Sequence, residues 1–163
     1  RSNFSLIKKD FIMNANTQFD ALPEISLDSV ESAEFKIAPE GRYAALVSAS
    51  VRPNEKNQHI VTLKYVVTDT LALADESQTP VKNGEKILEN CEYSAEKLKW
   101  IKRKLEIFAA KAELPIGTPV NTILEAMQDI PVEFTLKHRK YLNRDGEVRY
   151  SAQIQDSAFV VML

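Results

Sequence analysis

Lys137, Arg139, Tyr141 and Arg149 are the residues whose types and spacing most directly suggest chemistry. They fall on alternate positions of PVEFTLKHRKYL and, after the turn NRDG, of EVRYSAQIQDSAFVV. Successive side chains of an extended backbone point to opposite faces, so the four share one side of a two-stranded ribbon. Cations neutralise phosphates, and an aromatic face stacks on any base for ~1–3 kcal/mol. The combination points to a polyanion with flat bases, and to binding rather than bond-making. Arg52 and Lys64, in two earlier alternating segments, extend the cationic set, and His59 offers a further ring for stacking.

The elements that must position these residues follow from periodicity. Val132, Phe134 and Leu136 alternate with Glu133, Thr135 and Lys137, while Val148, Tyr150, Ala152 and Ile154 alternate with Arg149, Ser151 and Gln153. Period two marks half-buried strands, predicted over Pro131–Leu142 and Glu147–Val160. Asp145-Gly146 is expected to supply the positive-φ pair of a tight hairpin turn. Arg42–Arg52 and His59–Thr68 form a second predicted hairpin around the polar tip PNEKNQ, and Lys86–Tyr93 a short third strand. Ser94 is a good N-cap for a helix over Ala95–Glu113, with Leu98, Ile101, Leu105, Phe108 and Ala112 on one stripe. Its lysines read as soluble cover. Thr118 and Pro119 open a short second helix that runs to about Gln128. The segment 1–40 is apolar enough to pack on the domain 41–163 or on a partner, and SLDSVESAEF has room for a short turn or helix.

The order strand, strand, strand, helix, strand, strand predicts a mainly β fold with α+β content: a five-stranded OB-fold barrel with a helix between strands three and four. Pro39, Gly41 and Tyr43 (PxGxY), the charged helix and the terminal basic hairpin together resemble a phage-encoded family of OB-fold single-stranded-DNA-binding proteins, over roughly Glu34 to Val161. Members carry a Gly- and Lys-rich tip between the first two strands, where this chain has RPNEKNQH. They also end in an acidic tail that recruits replication partners, whereas this sequence ends SAFVVML. The resemblance implies single-stranded DNA as partner, with replication or recombination proteins and a further copy of the chain as other candidates. No cofactor is expected, and the expected place is the cytoplasm, that of the bacterial host if the chain is phage-encoded.

Composition sets the remaining bounds. The 163 residues carry a formal net charge of −2, with 44% hydrophobic and 27% charged residues. A generic nucleic-acid coat favours a basic domain, so any basic surface must be local; cations are in excess from Lys97 to Arg149. No apolar run approaches the ~20 residues of a membrane span, and RSNFSLIKKDF lacks a signal-peptide core. Arg1 in place of Met suggests a processed or excised chain. The lone Cys91 precludes an internal disulfide and suits a reducing compartment. His59 and His138 have no metal-ligand spacing, and neither a phosphate-cradling glycine loop nor a nucleophile elbow is present; the expectation is a non-enzyme. The acidic balance supports a second reading, a protein-interaction or virion-structural module using the N-terminal segment and SAFVVML as contact surfaces.

Overall fold

The structure, a computed structural model, describes residues 19–30 and 37–163. The chain divides into two units, Arg1–Phe35 and Lys36–Leu163. In the first, Leu27–Ser29 form a 3₁₀ turn capped by Ser26, whose Oγ accepts the Asp28 N–H at 3.3 Å. This is the short turn expected in SLDSVESAEF. Most of the segment expected to pack on the domain or a partner, residues 1–18 and 31–36, lies outside the described residues.

The described part of the second unit is mainly β. Its strands are β1 (Gly41–Pro53), β2 (His59–Leu73), β3 (Lys86–Glu92), β4 (Ile130–Leu142), β5 (Val148–Ile154) and β6 (Val160–Val161). Between β3 and β4 lie α1 (Lys102–Lys111) and α2 (Val120–Ala126). The strands make one six-stranded sheet in the order β3-β2-β1-β4-β5, with β6 also on β4, and every pairing is antiparallel. β1 is the hub. It pairs β2 along its length and β4 over Gly41–Val47.

Alternation decides the faces. Tyr43, Ala45, Val47 and Ala49 of β1, Val61, Leu63, Tyr65 and Val67 of β2, and Val132, Phe134 and Leu136 of β4 are buried. Phe134 is the centre of this core, with its ring 5.9 Å from Tyr43 and 5.2 Å from Tyr65, the latter edge-on. Ile101, Leu105 and Phe108 bury the helix stripe against it.

PxGxY has a physical account. A Cβ on Gly41 would lie 2.3 Å from the Ala72 carbonyl, so only glycine lets β2 pass this closely. The Tyr43 hydroxyl donates to the Pro39 carbonyl at 2.5 Å. Between them, the Glu40 carboxylate accepts the His138 backbone N–H at 2.8 Å, and His138 Nε2 lies 2.7 Å from the Ala38 carbonyl. The motif thereby ties the entry to β1 onto β4 where β4 outruns it.

Several expectations change. The expected mainly β fold with helices between the third and fourth strands is present, but as an open sheet of six strands rather than five, with no ladder between β3 and β5. β2 continues to Leu73 through two register shifts against β1. The predicted strand Glu147–Val160 is broken: the Phe159 N–H turns back onto the Asp156 carbonyl, Ala158 takes φ 59°, and the chain returns as β6. The predicted helix Ala95–Glu113 is interrupted at Ile101 (ψ 1°), with a 3₁₀ turn at Lys97–Trp100 before α1. Ser94 does cap, since its Oγ accepts the Lys97 N–H at 3.1 Å. At the β4–β5 turn only Gly146 has positive φ (75°), not the Asp145-Gly146 pair. The Asn143 side chain instead accepts the N–H groups of Asp145 and Glu147. Asn54 does the same for Lys56 and Gln58 at the β1–β2 tip.

The register carries its own test. Phe134→Ala is expected to destabilise by ~3–5 kcal/mol in a denaturant melt, as large aromatic truncations in packed interiors do. Glu133 faces outward and meets Arg42 at 3.4 Å with both side chains partly exposed. Glu133→Ala should therefore cost at most ~1 kcal/mol. Equal losses would refute the assigned faces.

Candidate nucleic-acid interface

Beyond the Gly41–Leu136 pair, β4 and β5 run on together as a two-stranded arm from Lys137 to Gln153. Register sets Lys137 opposite Gln153, Arg139 opposite Ser151 and Tyr141 opposite Arg149. Cross-strand partners share a face, so the four residues singled out in the ribbon stand on one side, outward by the parity of buried Leu136 and Ile154. Tyr141 is 46% exposed. Arg149 meets Glu147 at 2.5 Å on the open surface. A pair this accessible is worth ~0–1 kcal/mol, little enough for a phosphate to displace it.

The arm has a second polar-aromatic face. Lys140 lies opposite Tyr150, and Leu142 opposite Val148. Tyr150 and Val148 carry the inward parity expected of core residues, yet they are 53% and 43% exposed. Both lie on the arm past the Gly41–Leu136 pair, beyond the part of the sheet that carries the core. The ring–cation alternation in HRKYL and VRY is the signal that both faces of the arm are polar-aromatic.

The remaining predicted residues divide. Lys64 lies on the outward face of β2, between Ser48 of β1 and Leu88 of β3. Arg52 has the same outward parity at the far end of β1, opposite Ile60. His59 has the opposite parity, that of buried Val61 and Leu63. It lines a separate hollow of about 650 Å³ with Tyr93, Leu124 and Gln128. Thus Lys137, Arg139, Tyr141 and Arg149 form one group, Lys64 and Arg52 belong to the outer sheet face, and His59 stands apart.

A groove of about 480 Å³ connects the arm to β3. Leu88 and Asn90 stand on its β3 side, Arg139, Ser151 and Gln153 on the β4–β5 side, and Trp100 borders it. Lys104 is part of its lining, although its side chain is only 2% exposed. Its Nζ lies 3.0 Å from the Glu89 carboxylate of β3 and 2.9 Å from that of Asp156, just past β5. The Tyr65 hydroxyl donates to the other Glu89 oxygen at 2.9 Å. The ammonium thus bridges two strand edges that share no ladder. Sequence reading placed Lys104 among solvated lysines, although its spacing of three from Ile101 and four from Phe108 sets it at the border of the core stripe, where Lys102 is not.

Among the described residues, no group of three or more His, Cys, Asp or Glu side chains is arranged to hold a metal ion. No helix among them is long and apolar enough to cross a membrane. Compared with protein-family models and with curated proteins, the sequence matches none of either.

Burial pushes the Tyr65 phenol well above its ordinary value near 10, and the Glu89 and Asp156 carboxylates add to the rise. A proton held more tightly in the folded chain stabilises it below the unfolded pKa. That contribution is lost as pH climbs from the unfolded toward the folded value. The stability gap between wild type and Tyr65→Phe should therefore be constant at neutral pH and shrink above about pH 10. Denaturant melts across that range measure it; a gap unchanged at about pH 11 would show that the phenol is not held neutral.

Proposed function

We propose that this chain is a non-catalytic OB-fold domain that binds single-stranded DNA with little sequence preference, in DNA replication or recombination of the kind phages encode. The observation that carries the reading is the direct cross-strand pairing of Tyr141 with Arg149, on the arm face that also bears Lys137 and Arg139. A ring flanked by cations on an exposed ribbon matches what a strand with accessible bases requires: phosphate neutralisation along the backbone and stacking that tolerates any base. Lys64 and Arg52 continue the cationic track over the outer sheet face.

The strand order supports the fold assignment. β1 pairs both β2 and β4, α1 and α2 lie between β3 and β4, and β3 and β5 border one groove. An OB-fold is a partly open barrel with these connections; here the Lys104 bridge stands where the β3–β5 seam would close.

The interaction-module alternative has less to draw on in the described residues. Phe159 and Val161 of SAFVVML are buried, which leaves Val160, Met162 and Leu163 exposed.

Fluorescence anisotropy against labelled oligonucleotides of several sequences tests the proposal. Lys137→Ala with Arg139→Ala should weaken binding about equally for every sequence. The slope of log affinity against log salt should shrink by ~0.7 per lost contact. Tyr141→Ala should cost ~1–3 kcal/mol and leave that slope nearly unchanged, because stacking releases no counterions. A wild-type protein without affinity for single strands at low salt would overturn the reading.

A further inference from the structure

We propose that the groove between β3 and β5 is a nucleobase site, with Trp100 as its stacking platform and the polar edges of Asn90 and Gln153 as its walls. The proposal rests on the single-strand reading above and extends it to a site away from the arm face.

Three observations carry it. Trp100 is the chain's sole tryptophan, and it is 62% exposed on the 3₁₀ turn beside the groove rather than packed in the core. An indole left this open on a short 3₁₀ turn presents a large flat surface to a ligand. Lys99 holds its ammonium over one face of the indole, 5.3 Å from the centroid, so a base would stack on the opposite face with this cation close by for its phosphate.

Second, the groove's volume of about 480 Å³ falls in the ~300–1,000 Å³ range of small-ligand sites. Arg139 lines it and also belongs to the basic arm face, so a strand lying along that face reaches the groove without leaving the protein surface.

Third, the groove's electrostatics select a base over a phosphate. Lys104 is the deeply buried cation there, and the Glu89 and Asp156 carboxylates already engage it. Two carboxylates against one ammonium leave the cluster with net negative charge, which repels a phosphate. The same carboxylates have acceptor capacity for the amino groups of a base edge. Phosphates are thereby kept at the rim, near Arg139 and Lys99, while a base turns inward.

The single tryptophan makes the site directly readable. Titration with an oligonucleotide is expected to quench Trp100 fluorescence in step with the anisotropy change, and an abasic chain of equal length is expected to leave it unquenched. Trp100→Ala should weaken binding by about 5- to 150-fold, the span of base–aromatic stacking, while Trp100→Phe keeps most of the affinity. Because Trp100 is largely exposed, melts should show both variants folded. Binding without quenching, or equal quenching by the abasic chain, would overturn the groove site and leave single-strand binding intact. Undiminished binding by Trp100→Ala would overturn it in the same way. Absence of any binding by the wild type would overturn both.

Discussion

Lys104 holds together the two strand edges that the backbone leaves apart. Its ammonium, almost wholly removed from water, reaches Glu89 on β3 and Asp156 just beyond β5, and Tyr65 fixes Glu89 from the sheet beneath. A buried ion cluster is a weak source of net stability, because desolvation offsets most of the attraction. Its contribution here is placement. With no ladder between β3 and β5, this bridge sets how far the β4–β5 arm stands from β3, and so the width of the groove between them. The proposed strand-binding face and the proposed base site share that boundary.

A second constraint acts at the other edge of the arm. Gly41 admits the close passage of β2, while Glu40 and Ala38 hold His138 at the point where β4 leaves β1 behind. The arm is thus anchored at its root by PxGxY and at its side by the Lys104 bridge. In its outer half Tyr141, Tyr150 and Val148 are exposed, and among the described residues no other strand pairs there. A two-stranded ribbon is marginal alone; rooted in this way it presents its polar faces on a stiff base.

Local periodicity made much of this legible. The faces of β1, β2 and β4, the Ser94 cap and the Ile101, Leu105 and Phe108 stripe follow from spacings within one element. The shared side of Lys137, Arg139 and Tyr141 does too, and the short turn after β4 brings Arg149 of β5 to it. What escaped depends on contacts distant in sequence. The phase of Lys104 beside the Ile101–Phe108 stripe was there to read, but its partners Glu89 and Asp156 come from distant segments. Tyr150 has core parity but stands on the arm beyond the end of β1, 53% exposed. β6, two residues long, gives periodicity nothing to detect, and the turn before it needs φ 59° at an alanine. Trp100 reads as part of one continuous helix until the break at Ile101 sets it on a separate turn.

Backbone amide hydrogen exchange, with and without an oligonucleotide of about 16 bases, tests the central claim most directly. That claim is that one outer surface, from the β4–β5 arm across the groove to β3, receives the strand. The account predicts added protection in Lys137–Leu142, in Val148–Gln153 and along Lys86–Asn90, with little change in α1 and α2. Protection confined to the helices, with the arm exchanging as in the free protein, would contradict it.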